Sequence, residues 1–351
     1  MKYELIKLNV NIESDIEHFY KVGAMIRLDH NNKWANTEEE HNIQKVFKSK
    51  PLKNIVLLAK SEKSMARLIA YIDENNQGFM GWYECSEDQE IHDFIFEATF
   101  DWFKKNNCEH VSGPINGNTW NNYRFNETCS YPLFPGEPNQ PLYYLKFWKD
   151  CDFKPCQHYT SDVPPKEIVQ PMTREELDFL LASNNLYARN LTEEISTEYF
   201  EKLHEFYHVC FSSNPLFHAI SLDEYELINK KTTAVVNSDH SFLIHDADLN
   251  IAGVFISFND YYYSLFREAL DAPKEYQTKK IIIKTLSVSP QYRNKQLGTL
   301  MINFIHYQAY QNGFSQVIHA LMHNQNLSSV KGKEKFKTEI IREYCLLEKH
   351  L

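Results

Sequence analysis

The run from residue 281 to residue 311 constrains the fold more than any other part of the sequence. Residues 281–288 (IIIKTLSV) are rich in β-branched side chains, which favours a β-strand. From Leu297 onwards, apolar side chains recur at helical spacing. A strand that passes through a tight loop into a helix aims several backbone N–H groups at one point, which the helix dipole makes attractive to anions. This order predicts an α/β fold with an anion site at Arg293–Gly298.

The same loop resembles motif A of the GNAT acetyltransferase superfamily, V-x-P-x-x-R-x-x-G-x-G/A. Val288, Pro290, Arg293 and Gly298 match the motif, whereas Gln296 stands where the first loop glycine is usual. In that family the loop amides hold the pyrophosphate of coenzyme A, and the preceding strand pairs with the pantetheine arm. The resemblance implies acetyl-CoA as co-substrate and a set of cofactor-binding residues: Leu286, Ser287, Val288, Arg293, Asn294, Lys295, Gln296, Leu297, Gly298 and Thr299.

A second landmark of the family follows at residues 318–332 (IHALMHNQNLSSVKG), where a strand leads through an asparagine into a short helix. Asn326 and Ser329 occupy positions that contact the pantetheine arm in the family. A tyrosine that often protonates the departing thiolate in the family is replaced here by Lys333. The resemblance therefore extends the cofactor site to Asn326 and Ser329, and it leaves the general acid to another residue.

Two residues are candidates for the catalytic proton transfers. His323 closes the strand beside the cofactor site, where an imidazole can deprotonate an ammonium substrate. A histidine that is satisfied by backbone groups at a strand end explains the same residue equally simply. Tyr344 is the candidate acid for the thiolate.

The first half of the chain repeats the order of elements found in the second. With an offset of 206 residues, Asn107 falls on Gly313 and Val111 falls on Val317. Segments such as residues 78–88 (GFMGWYECSED) and 113–120 (GPINGNTW) also resemble uncharacterised bacterial GNAT-like proteins. We therefore expect two tandem GNAT-like α/β domains, each with a mixed, largely antiparallel central sheet flanked by helices. Their expected bounds are 1–163 and 185–351, joined by a proline-containing linker at 164–184.

The two halves differ at the anion loop. The counterpart of Arg293–Gly298 is Glu87–His92 (EDQEIH), which has no glycine and carries three carboxylates. Carboxylates repel a pyrophosphate at short range. The sequence therefore predicts that the first domain is degenerate and that the second one binds acyl-CoA.

Composition excludes several classes of partner. The formal net charge is −10, which disfavours nucleic acid and anionic membrane surfaces as main partners. The seven cysteines are scattered and odd in number, which is typical of a reducing compartment. The N-terminal residues do not resemble a signal peptide, and no run is apolar enough to span a bilayer. These features predict a cytoplasmic protein, and they leave the oligomeric state open.

Two patterns compete with the acyltransferase interpretation. His204-Glu205-Phe206-Tyr207-His208 is an H-E-x-x-H sequence, which places two histidines on one helix face as zinc peptidases require. The buried face expected of the same helix explains it without a metal. Cys151 and Cys156 have a long spacing for a zinc pair, and no second Cys/His pair of suitable spacing lies near them. No metal is therefore predicted.

The predicted function is transfer of an acyl group, in the simplest case acetyl, from coenzyme A to a primary amine by direct attack in a ternary complex. The acceptor is expected to be a small molecule or a peptide. Two alternatives stay open: a non-catalytic protein that binds CoA or a partner, and a FemX-like transferase that takes its acyl group from aminoacyl-tRNA.

Overall fold

The computed structural model describes residues 2–29, 43–49, 52–128, 133–260, 279–293 and 295–351. Ten α-helices and thirteen strands lie within these ranges. The chain divides into two compact units. The first unit comprises Met1–Cys129, Pro138–His158 and Tyr344–Leu351, and the second comprises Ser130–Glu137 and Tyr159–Glu343.

The first half of the chain supplies seven strands and four helices. The strands are β1 (Glu4–Leu8), β2 (Lys53–Lys60), β3 (Met65–Ile72), β4 (Gly78–Cys85), β5 (His110–Gly113), β6 (Phe125–Asn126) and β7 (Lys154–Val163). The helices are α1 (Glu13–Asp29), α2 (Ile43–Ser49), α3 (Gln89–Lys105) and α4 (Leu142–Asp150).

The second half supplies the remaining elements, which are α5 (Arg174–Ala182), β8 (Leu186–Asn190), α6 (Glu193–Glu198), α7 (Phe200–Phe211), α8 (Leu222–Val235), β9 (Phe242–Asp246), β10 (Ile251–Asn259), β11 (Lys280–Val288), α9 (Leu297–Gln311), β12 (Gln316–His323), α10 (Leu327–Phe336) and β13 (Glu339–His350). The strand and helix predicted for residues 281–311 are confirmed as β11 and α9. β13 was not expected from the sequence.

The two units have sheets of the same design. In the first unit the strand order is β1-β2-β3-β4-β5-β13, and only the β4–β5 pair is parallel. In the second unit the order is β8-β9-β10-β11-β12-β7, and only the β11–β12 pair is parallel. The predicted fold class, two mixed and largely antiparallel sheets flanked by helices, is confirmed.

The bounds of the units differ from the predicted domains because the sixth strand of each sheet comes from the other half of the chain. In the first unit β13 pairs with β5, with Leu347 opposite Gly113. In the second unit β7 pairs with β12, with Asp162 opposite His319. The units of the structure therefore have other bounds than the predicted domains 1–163 and 185–351. A hydrophobic pattern specifies that a strand forms, but it does not specify which neighbour the strand takes.

The predicted linker also differs from the structure. Within residues 164–184, helix α5 begins at a capping box in which Thr173 and Glu176 bond each other's backbone N–H. Its Leu177 and Leu181 are buried in the core of the second unit, beside the apolar face of α9. Residues 174–182 are therefore part of that unit rather than a connection.

Each unit has its own apolar core. In the first unit α3 and α4 pack on the sheet through Phe96, Phe103 and Trp148. In the second unit α9 packs on β10 and β11 through Met301 and Ile305. These helix faces match the apolar spacing of the sequence, and they hold α9 against the end of β11.

Candidate functional site

The candidate site is built on a gap between two parallel strands of the second unit. β11 and β12 pair from Lys280 opposite Gln316 to Ile283 opposite His319, and no pairing between them follows. β11 continues along β10 as far as Val288. β12 breaks its register after His319, and Leu321 takes a left-handed φ of 56°. The two strands therefore separate beyond the Ile283–His319 pair.

The separated part of β11 has backbone groups that point into the gap. The Ser289 N–H donates to the Ala252 carbonyl of the strand on the other side, at 2.9 Å. Along an antiparallel strand, the N–H and C=O groups of successive residues point alternately to one side and to the other. Since Ser289 bonds to β10, the N–H and C=O groups of Leu286 and Val288 point away from β10. Leu286 is also 36% exposed. These residues are the part of β11 to which an extended ligand can add as a strand does.

The N-terminus of α9 lies at the end of the same strand. Gln296 precedes the helix with a left-handed φ of 58°, and no side chain caps the helix. The Gln296 carbonyl accepts hydrogen bonds from Thr299 and Leu300 at 2.9 and 3.0 Å. The N–H groups of Leu297 and Gly298 lie at the start of the helix, where no carbonyl of the helix can accept from them, so they remain available to a ligand. A methyl group at Gly298 would find no atom within 4 Å, so the loop is open on that side.

Neighbouring side chains position and charge this loop. The Tyr292 hydroxyl donates to Asp246 Oδ2 at 2.9 Å, which ties the loop to the end of β9. Arg293 and Lys295 are exposed, whereas Asn294 lies outside the described residues. Lys335 of α10 donates to Thr299 Oγ1 at 3.1 Å, in the first turn of α9. Lys335 was missed by the sequence analysis, although the recurring lysines of α10 are a possible signal for it.

The corresponding gap in the first unit is closed by the chain itself. β4 and β5 pair at Gly78–Val111 and Phe79–Ser112, and the Ile115 N–H then donates to the Met80 carbonyl at 2.8 Å. The Trp82 N–H donates to Asn116 Oδ1 at 2.6 Å. The backbone at Gly81 is so close that a methyl group there would lie 1.9 Å from the Ile115 carbonyl oxygen. No strand edge comparable to Leu286–Val288 is left open along this part of β4.

The end of β4 and the start of α3 are also filled. The Cys85 N–H donates to the Tyr144 hydroxyl at 2.9 Å, and the Tyr143 hydroxyl donates to the Cys85 carbonyl at 2.6 Å. Asp88 caps α3 by accepting from the Glu90 and Ile91 amides at 3.0 and 3.4 Å. A carboxylate of the protein therefore takes the position at this helix N-terminus that an anion could take at α9.

Comparison with solved structures identifies this architecture. A tandem GNAT protein from the clavulanic acid biosynthesis pathway superposes with a TM-score of 0.50 and 10% identity, covering 99% of this chain and 98% of the other. A conserved protein from Enterococcus faecalis V583, described as a probable N-acyltransferase, gives a TM-score of 0.53 and 6% identity, covering 100% and 72%.

The chain has the tandem GNAT fold. A glucosamine N-acetyltransferase region of a fungal multi-domain β-N-acetylglucosaminidase is also similar, with a TM-score of 0.52 and 10% identity over 99% of this chain and 38% of that one. No family model matches the sequence, and none of the curated proteins matches it. At 6–10% identity the likeness establishes the fold alone.

The two predicted catalytic residues belong to different units of the tandem GNAT fold. His323 ends β12 in the second unit, where its ring lies 4.9 Å from that of Tyr159 and its Nδ1 accepts from the Gln325 N–H at 3.3 Å. Tyr344 is fully buried in β13, opposite Asn126, and belongs to the first unit. Tyr344 therefore has no exposed hydroxyl with which to protonate a thiolate.

Asn326 precedes α10 and Ser329 lies in its first turn, and the side chains of Asn326 and Lys333 have partners within the protein. Asn326 caps the helix by accepting from the Ser328 and Ser329 amides at 3.0 and 3.4 Å. Lys333 lies 3.5 Å from Oδ2 of the fully buried Asp162 and 3.2 Å from Asn324 Oδ1. The ammonium group of Lys333 thus neutralises a buried carboxylate. The Asn326 amide nitrogen is still available to a ligand.

The H-E-x-x-H sequence on α7 is used for packing. His204 Nε2 donates to the Ile220 carbonyl at 2.8 Å, and the Ile220 N–H donates to His208 Nε2 at 3.0 Å. His208 Nδ1 donates to the His204 carbonyl at 2.7 Å. A zinc ion would have to displace both bonds to Ile220. This arrangement favours the interpretation without a metal.

Within the described residues, one group of metal-capable side chains lies close together, formed by His92, Asp93 and Cys151 of the first unit. His92 Nδ1 accepts from the Tyr83 hydroxyl at 2.9 Å, and its Nε2 donates to the Phe147 carbonyl at 3.0 Å. Burial lowers the pKa of His92 to about 4 and raises the pKa of Cys151 to about 11. Both ring nitrogens of His92 are already bonded within the protein, so a metal ion bound by this imidazole would have to displace one of these two bonds.

Among the described residues, every helix is too short or too polar to cross a membrane.

Proposed function

We propose that the protein transfers an acyl group, in the simplest case acetyl, from coenzyme A to a primary amine at the second unit. The observation that carries this proposal is the contrast between the two units. In the second unit the strands separate beside an uncapped helix N-terminus. In the first unit, side chains of the chain itself occupy the same two places. The neighbours named as acetyltransferases and N-acyltransferases support the same chemistry.

The residues of the second unit fit the parts of an acyl-CoA. The Leu297 and Gly298 amides, with Arg293, Lys295 and Lys335 around them, suit the phosphates. The open edge at Leu286 and Val288 suits the amide-containing pantetheine arm, which can pair with it as a strand does. Asn326 is placed at the N-terminus of α10 to contribute its amide nitrogen.

The reaction that this arrangement supports is direct aminolysis of the thioester. The amine nitrogen attacks the thioester carbonyl, the C–S bond breaks, and the products are an amide and the CoA thiol. A backbone N–H at Leu286 is positioned to stabilise the oxyanion, as backbone donors do in other acyl transfers. His323 is the residue in the second unit that we propose as the base, acting directly or through water.

Calorimetric titration of acetyl-CoA into the full chain tests the proposal. We expect one site per chain, because the first unit is closed. Gly298→Asp places a carboxylate at the phosphate position without a clash in the free protein, and we expect it to abolish binding. Gln311→Glu adds the same charge at the far end of α9 and serves as the matched control. Absence of binding to folded wild-type protein would contradict the proposal and favour an aminoacyl-tRNA donor.

A second candidate is a protein that binds acyl-CoA without transferring the acyl group. It is favoured by the fact that Lys333 is engaged by Asp162 and that Tyr344 is buried in the first unit. Neither of these residues is placed to protonate the thiolate. A screen of primary amines with release of the CoA thiol as readout separates the two candidates, since only the transferase releases thiol when an amine is added.

A further inference from the structure

The residues from 212 to 221, which connect α7 to α8, are held by both histidines of the H-E-x-x-H sequence. His204 Nε2 donates to the Ile220 carbonyl, and the Ile220 N–H donates to His208 Nε2, at 2.8 and 3.0 Å. The two histidines thus form hydrogen bonds with both the carbonyl and the N–H of the same residue, Ile220. Ile220 itself is 6% exposed, whereas residues 212–214 are exposed. We call this arrangement the histidine clamp.

The hydrogen bonds dictate the protonation state of His208. Its Nε2 accepts from a backbone N–H and therefore carries no proton. Its Nδ1 faces the His204 carbonyl at 2.7 Å and therefore carries the proton. His208 must be neutral, in the Nδ1–H form, for the clamp to close. A proton added to Nε2 would turn it into a donor that faces the Ile220 N–H, and this bond would be lost.

The titratable groups around the pair come from three elements. On α7 the two imidazole rings lie 4.1 Å apart, so a charge on one disfavours a charge on the other. From α8, the Tyr225 ring lies 5.4 Å from His204, and burial raises the pKa of Tyr225 so that it stays neutral. Glu224 of α8 caps its own helix at Ser221. In the connecting segment, His218 Nδ1 donates to the Leu216 carbonyl at 3.0 Å.

The clamped segment begins next to the candidate site. Cys210, in the last turn of α7, lies beside Ser287 of the separated part of β11. Residues 212–221 follow directly. Release of this segment would change the border of the site on the α7 side. This consequence for acyl transfer rests on the proposed function, whereas the clamp itself does not.

We propose that the histidine clamp is a pH-dependent latch, which holds the 212–221 segment closed while His208 is neutral and releases it when His208 takes up a proton. Imidazole is the side chain whose charge ordinarily changes between pH 5 and 8.

Hydrogen exchange of the full-length chain measured between pH 8 and pH 5 tests this proposal. After correction for the intrinsic pH dependence of exchange, we expect protection of the Ile220 amide to fall by about tenfold, as expected for loss of one hydrogen bond. Peptides from α9 serve as the reference, since they report unfolding of the whole unit. His208→Gln places an amide oxygen where Nε2 accepts, and we expect it to keep protection across the pH range.

Two results would overturn the latch. One is protection of Ile220 that does not change with pH in the wild type. The other is a loss of protection in His208→Gln equal to that of the wild type. If His208→Gln does not fold, nitrogen chemical shifts of the wild-type histidines decide instead, because a His208 found in the Nε2–H form at pH 8 contradicts the clamp. Acetyl-CoA titration at pH 8 is independent of these results, so failure of the latch and failure of the proposed function remain distinguishable.

Discussion

His92 is predicted to make the first unit sensitive to acid, and replacing it should remove much of that sensitivity. The imidazole is fully buried between the Tyr83 hydroxyl and the Phe147 carbonyl. Burial lowers its pKa from 6.5 to about 4. Between these two pH values His92 binds a proton in the unfolded chain but not in the folded unit. The free energy of unfolding therefore has its full value above pH 6.5 and decreases as the pH falls towards 4.

The expected size of this effect follows from the two pKa values. At pH 5 the shift from 6.5 to about 4 destabilises the folded unit by about 2 kcal/mol relative to pH 7. Urea unfolding followed by tryptophan fluorescence measures it selectively, because all five tryptophans of the sequence fall within the ranges of the first unit, and the described ones are Trp82, Trp102, Trp120 and Trp148. Burial also lowers the pKa of His319 to about 4. His319 lies in the second unit, outside the ranges that contain the tryptophans.

His92→Gln is the informative variant, because its amide can still donate to the Phe147 carbonyl but does not titrate. We expect it to be less stable than the wild type at pH 7, and to lose about 2 kcal/mol less than the wild type between pH 7 and pH 5. His319→Gln is the matched control and should leave the acid dependence of the tryptophan signal unchanged. An equal loss in His92→Gln and in the wild type would refute the assignment of the acid sensitivity to this imidazole.

Two further predictions concern the site and its closed counterpart. Lys335→Gln should weaken acetyl-CoA binding about threefold to tenfold, and the effect should be smaller at high salt because ions screen an exposed charge near the phosphates. Calorimetry at two salt concentrations measures this change in affinity. An equal loss of affinity at both concentrations would argue against a charge effect. Asn116→Ala should destabilise the first unit by about 1–3 kcal/mol, because it removes the acceptor of the part-buried Trp82 N–H. Urea unfolding detected by tryptophan fluorescence checks this prediction. An unchanged midpoint of urea unfolding would show that the hydrogen bond contributes little to stability.

Much of the fold could be predicted because it is local. The many β-branched residues at 281–288 and the apolar spacing of α9 determine those elements within a few residues of their ends. The loop at Arg293–Gly298 was likewise recognisable, because only a few residues separate the predicted strand from the predicted helix there and they match a known motif. The acidic loop at Glu87–His92 correctly indicated that the first unit differs. Asp88 does more than repel an anion, because it caps α3 itself.

Other parts of the site could not be predicted because they depend on contacts between distant residues. The sequence offers no sign that Asn116, thirty-four residues after Trp82, pairs with its backbone. Tyr344 was a reasonable candidate acid until β13 placed it in the core beside Asn126. Lys335 reaches Thr299 only because α10 packs next to the first turn of α9.

The sequence by itself determined the kinds of elements, their order in each half and the position of the loop that can bind an anion. Only the tertiary structure decided which strands exchange between the two sheets, which gap stays open, and which histidines hold the chain. The physical reason is that periodicity, capping and turn chemistry act over a few residues, whereas strand pairing and burial are decided among many nearly equivalent partners. The H-E-x-x-H sequence illustrates the difference. Its spacing suits a zinc site, but in the folded chain both imidazoles form hydrogen bonds with the backbone of Ile220.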